Sequence, residues 1–161
     1  MKNFMLFMFA FMLLACNQSA SNYQSLQKKI DSLQSKIDSS YKPGLGEFMS
    51  QIQIHHAKLW FAGKYGNWEL ANFEVEEIQE ALDNIPKYCA DRPEIKSINM
   101  IVPAMDSLSE AIKEKNENKF SDGFTLLTAT CNDCHKATDH GFNVIKIPDV
   151  PPVTNQVFKS K

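Results

Sequence analysis

Apolar residues recur along most of this chain at spacings of three and four, and no stretch alternates with the two-residue period of a strand. The exception lies at the start, where residues 4–14 are an unbroken apolar run of eleven that includes four phenylalanines and three methionines. Beyond it, residues 17–40 are rich in Ser, Gln and Lys. Within them Tyr23, Leu26, Ile30, Leu33 and Ile37 form a short heptad seam. That seam predicts an amphipathic stalk helix, able to pack on a domain or to pair with another copy. The run Lys42-Pro43-Gly44-Leu45-Gly46 ends it.

Four further helices are predicted. The first covers about 46–62, with Phe48, Met49, Ile52, His55, His56, Leu59 and Trp60 on one broad face and Gly63 and Gly66 closing it. The second starts near Asn67, carries Trp68, Ala71, Val75, Ile78, Leu82 and Ile85, and is expected to stop at Pro86. The third covers about 93–115, and its internal Pro103 predicts a kink or a break. The fourth covers about 117–139, with Phe120, Phe124, Leu127, Cys131 and Cys134 along one face and Gly141 as the expected cap. Helices of similar length with short connections predict an all-α, up-down-up-down four-helix bundle. The three prolines at 148, 151 and 152 predict an extended tail, resting on the bundle through Ile147, Val150 and Phe158. The expected organisation is a signal peptide at 1–15, an anchor and stalk at 16–44, a bundle at 45–141 and a tail at 142–161.

Composition narrows the function. Lys2 is the only charge in the first 15 residues, which leaves 16 basic against 19 acidic residues in the rest. There is no basic stripe, and Arg92 is the only arginine, so no nucleic-acid partner is expected. Glu74, Glu76, Glu77 and Glu80 read as helix-surface charges. No Ser/His/Asp arrangement or paired acids stand out, so no enzymatic activity is expected. Trp60, Phe61, Trp68 and Phe73 read as core or interface aromatics, although Trp60 or Phe124 could sit near a cofactor.

The apolar run is too short to span a bilayer, which takes roughly 20 residues, and with Lys2 before it suits the core of a signal peptide. It ends Leu13-Leu14-Ala15-Cys16, which resembles the lipobox of bacterial lipoproteins. That resemblance implies lipidation at Cys16 and a chain tethered on the periplasmic side of a bacterial membrane.

Of the other cysteines, Cys89 reads as a buried apolar thiol. The remaining two form Cys131-Asn132-Asp133-Cys134-His135. Helical spacing puts both thiols and the imidazole on one side, as covalent haem attachment requires. One haem c is therefore expected, joined to Cys131 and Cys134, with His135 as an axial iron ligand. A thioredoxin-like pair would need a preceding strand. A zinc site would draw on Cys131, Cys134, His135 and His140, with the adjacent Cys134 and His135 poorly aimed for a tetrahedron.

A CxxCH on the last helix of a four-helix bundle resembles the cytochrome c-prime family and its low-spin, six-coordinate relatives, over about residues 45–138. The resemblance implies that a first-helix residue faces the other side of the iron, and the matching position is Met49. Where the family often carries a basic residue one turn earlier, this chain has Leu45. His56, two turns from Met49 on the same face, or His55 beside it, are the alternatives, as is an open site. Three roles follow: a membrane-anchored single-electron carrier serving redox partner proteins, a nitric oxide or carbon monoxide binder if the sixth position is open, and a haem subunit of a larger redox complex.

Overall fold

The computed structural model describes residues 22–37, 39, 40 and 42–159, and among these the chain is all-helical with no strand. The expected signal peptide and Cys16 lie outside the described residues. The described residues fall into two units, divided between Lys42 and Pro43. In the first, residues 22–37 form helix α1, whose Tyr23, Leu26, Ile30, Leu33 and Ile37 are all exposed. No helix among the described residues is long and apolar enough to cross a membrane.

The second unit contains α2 (Leu45–Lys64), α3 (Trp68–Tyr88), α4 (Ile95–Ile98), a 3-10 turn (Asn99–Ile101), α5 (Val102–Lys113) and α6 (Glu117–Ala137), an arrangement compatible with a helical bundle. The corners after α2 and after α5 are built alike. Gly66 takes a left-handed backbone (φ 68°). The Asn67 and Gly66 amides then donate to the Ala62 and Gly63 carbonyls, which ends the helix in a Schellman turn. The Asn67 side chain at once caps α3 by accepting from the Leu70 amide at 3.2 Å. At the second corner Lys115 (φ 54°) stands where Gly66 stands at the first. There Asn116 and Lys115 donate to Ala111 and Ile112, and the Asn116 side chain caps α6.

Several sequence expectations need correction. Helix α3 runs two residues past Pro86, because proline disturbs the ladder at its own N–H and at the carbonyl four residues back but leaves later amides free, and the Cys89 amide closes the last turn on the Ile85 carbonyl at 2.8 Å. Pro103 does break the third segment, and it does so by sitting in the first turn of α5, where its missing N–H costs nothing. Gly141 is not the cap of α6. Asp139 holds the left-handed position (φ 62°) and the His140 amide closes the turn on the His135 carbonyl at 2.7 Å.

The core is apolar and aromatic, with Leu59, Ile78, Ile85, Leu108 and Phe124 fully buried. Each such side chain contributes roughly 1.5–3 kcal/mol by leaving water. Gly63 lets α6 approach: a Cβ there would lie 2.1 Å from the Phe120 ring. Phe73, expected in the core or at an interface, is outside the core at 49 % exposure. Glu74, expected on the surface, is completely buried, because it faces α2, where His55 Nδ1 at 2.6 Å and Lys58 at 3.9 Å meet its carboxylate. The tail is non-helical. Phe158 is buried against Phe61 with ring centres 5.8 Å apart, and Ile147 packs on the core. Val150, expected beside them, points to solvent.

Candidate functional site

Helices α2 and α6 run antiparallel, and three contacts give their register. Gly63 meets Phe120, Trp60 meets Phe124, and His56 meets Thr128. Beyond His56 and Thr128 a cavity of about 350 Å³ opens along the same two helices. Stepping two turns outward from that pair, about 10 Å along each helix, reaches Met49 on α2 and His135 on α6. Both residues line the cavity, with Cys131, Cys134, His56 and the apolar Ile52 and Ile98. Arg92, Glu94 and His140 complete the wall.

Cys131 and Cys134 are free, half-buried thiols. Burial, with a smaller contribution from Cys134, pushes the Cys131 thiol up to about 11, and burial also raises Cys134. Both thiols are therefore protonated near neutral pH. His135 donates from Nδ1 to the Asn143 carbonyl at 2.6 Å. This directs the lone pair of the neutral ring to Nε2.

His56 is buried, and Nε2 lies 2.9 Å from Thr128 Oγ1. The Thr128 hydroxyl spends its proton on the Phe124 carbonyl, also at 2.9 Å. Its oxygen must therefore accept from His56, which places the proton of His56 on Nε2. Burial lowers the pKa of this imidazole to about 4, so the ring is neutral at ordinary pH. His55 sits on another side of α2, held by Glu74. Helical geometry separates it from His56 by about 100°, and it does not line the cavity. Phe124 lies behind His56 (ring centres 4.4 Å apart), with Trp60 beyond it at 5.0 Å.

At the cavity wall Arg92 donates to Glu94 Oε1 at 2.6 Å, while buried Oε2 has no hydrogen-bond partner. The Glu94 carboxyl is held below its usual range by its own backbone amide and then by Arg92. His140 lines the same wall and donates from Nδ1 to the Thr138 carbonyl at 2.6 Å. Among the described residues no group of three or more His, Cys, Asp or Glu side chains is arranged to hold a metal ion.

The structure thus gathers Cys131, Cys134, His135, Met49 and His56 around one cavity and leaves His55 out. Sequence reasoning missed Thr128, Asn132, Asn143 and Glu94. Asn132 carried a signal, since it lies inside the CxxCH motif. Asn143 acts through its backbone carbonyl, which no residue pattern reports. No family model matches the chain, and no curated protein or solved structure matches it.

Proposed function

We propose that this protein is an exported, lipid-anchored c-type cytochrome that carries single electrons at a membrane surface. One haem c would be joined to Cys131 and Cys134 and ligated by His135, within a four-helix bundle that follows the α1 segment in the chain. The observation that carries this reading is the cavity itself. It brings both thiols of the CxxCH motif and His135 to one wall, with Nδ1 of His135 engaged by a carbonyl. Engagement of the second ring nitrogen is the usual condition of a metal-ligating histidine. Raised thiol pKa values disfavour thiol–disulfide exchange, which needs a thiolate. The cavity volume falls within the roughly 300–1,000 Å³ of small-molecule sites.

When bound, the haem supplies the reversible one-electron change. The chain's residues hold it and set its surroundings. Cys131 and Cys134 secure one edge, and His135 presents Nε2. Ile52 and Ile98 line the cavity with apolar surface, which keeps water away and the local dielectric low. Met49 is favoured as the second axial ligand because it stands at the level of His135 across the seam. His56 is less suited, being two turns away with its Nε2 proton given to Thr128. A thioether ligand raises the reduction potential, which suits an electron carrier. The exposed α1 stripe favours pairing with a second copy.

Denaturing the purified protein in acidified organic solvent and staining a gel for haem tests the central claim. Colour that separates from the polypeptide refutes it. Replacing Cys131 and Cys134 together by Ala should abolish the holoprotein. Cys16→Ser should release the chain from membranes or leave it unprocessed. An unmodified mature N-terminus elsewhere, seen by mass spectrometry, rules out the anchor.

A further inference from the structure

We propose that Asn132 and the start of the tail form a strap that positions His135, with Asn132 as the positioning residue. The inference rests on the haem reading. Asn132 lies between the two motif cysteines, on the α6 side that meets the tail. Its side-chain Nδ2 donates to the Ile145 carbonyl at 2.8 Å, and its Oδ1 accepts from the Ile145 amide at 2.8 Å. One side chain thus pairs with both backbone groups of one tail residue, as a neighbouring strand would. Nδ2 also reaches the Thr128 carbonyl at 3.1 Å, which ties the strap to the α6 backbone.

Two residues before Ile145, the Asn143 carbonyl accepts from His135 Nδ1 at 2.6 Å. Only Val144 separates the clamp from that carbonyl, and its side chain is 70 % exposed and adds no anchorage. Neighbouring Phe142 is 83 % exposed. The Asn143 amide donates to the His140 carbonyl at 2.9 Å, so the segment is held before Asn143 by that turn and after it by the Asn132 clamp. The clamp sets the outgoing direction of the chain and with it the aim of the Asn143 carbonyl at His135. A carbonyl drawing on Nδ1–H makes the imidazole a stronger donor at Nε2, which stabilises the higher oxidation state. Asparagine is the side chain that serves here. Aspartate offers acceptors only, and would set a carboxylate against the Ile145 carbonyl.

The test compares the full-length holoprotein with Asn132→Leu, Asn132→Asp and Phe158→Ser, the last loosening the tail at its far anchor on Phe61. Two quantities are read: the reduction potential, and the solvent exchange of the His135 Nδ1 proton by NMR of the reduced protein. In Asn132→Leu the oxidised–reduced equilibrium should move about tenfold towards the reduced form, about 59 mV for one electron, with fast exchange of that proton. Asn132→Asp should likewise speed exchange of that proton, whereas its added carboxylate favours the oxidised form and opposes the shift in potential. The exchange therefore decides the matter should the leucine variant lose its helical circular dichroism. Phe158→Ser should leave both unchanged. Covalent haem in an Asn132 variant with the wild-type potential and a protected proton overturns the strap alone. So does an equal shift in Phe158→Ser, which would mark general loosening. Absence of covalent haem from the wild-type protein sinks the haem reading and the strap together.

Discussion

The two halves of the α2–α6 seam are made of the same two helices and do opposite things. From Gly63 and Phe120 to His56 and Thr128 the helices are locked by packed aromatic rings and one buried hydrogen bond. From His56 and Thr128 outward, past Met49 and His135, the same pair lines a cavity. The closed half accepts large rings because Gly63 removes a Cβ that would collide with Phe120. The open half carries smaller or chemically specific groups, namely two thiols, a thioether and an imidazole. A rigid end thus sets the register, and the register delivers a cofactor-sized space with paired residues at one level.

Removing a ring from the closed half should have the largest effect. Phe124 is fully buried between His56, Trp60 and Phe120. Phe124→Ala should cost about 3–5 kcal/mol, as large-to-small core changes do, seen as a lower urea midpoint. A loss below about 1 kcal/mol would mean that the aromatic half does not anchor the seam.

Acid should weaken the same half through His56. Its folded pKa is about 4, below the ordinary 6.5. Above about pH 6.5 the ring is neutral whether the chain is folded or not, and this stability is fully present. As pH falls, the unfolded chain takes up a proton that the buried ring refuses. The loss grows down to the folded pKa, by up to about 3 kcal/mol at roughly 1.4 kcal/mol per unit. Unfolding midpoints measured between pH 7 and pH 4 should show this fall, and His56→Gln should flatten it. An equal fall in both proteins would assign the acid sensitivity to other groups.

The helices were readable from the sequence because their apolar stripes face a shared core. Ile78, Ile85, Leu108 and Leu127 all sit where the three-and-four spacing puts them. The corners were harder. Left-handed positions at Lys115 and Asp139 carry no glycine to announce them, and the Gly141 expectation failed for that reason. The motif cysteines and His135 were legible because local helical geometry alone groups them. The partners contributed by the tail were not. Asn132 meets Ile145, and His135 meets a carbonyl eight residues on, through contacts that exist only once the tail folds back. Glu74 misled for a related reason: a glutamate on a helix looks solvated until His55 and Lys58 of another helix are placed against it.

The smallest effect on stability, and the sharpest on function, should come from Met49→Ala in the open half. Met49 is only half-buried beside a cavity. Truncating it should therefore cost about 1 kcal/mol or less, well under a fully buried methionine. Its expected function is different in kind. Register puts it level with His135, so under the proposed haem reading its thioether would be the second axial ligand. Met49→Ala should turn a low-spin spectrum high-spin, speed carbon monoxide binding and lower the reduction potential, since methionine ligation raises it. His56→Ala, by contrast, should disturb stability and leave the spectrum nearly unchanged. If His56→Ala produces the high-spin form while Met49→Ala does not, ligation is by two histidines, and the closed half contributes to the chemistry after all. If the wild-type spectrum is already high-spin and neither change alters it, the sixth position is open and gas binding displaces electron transfer as the leading role.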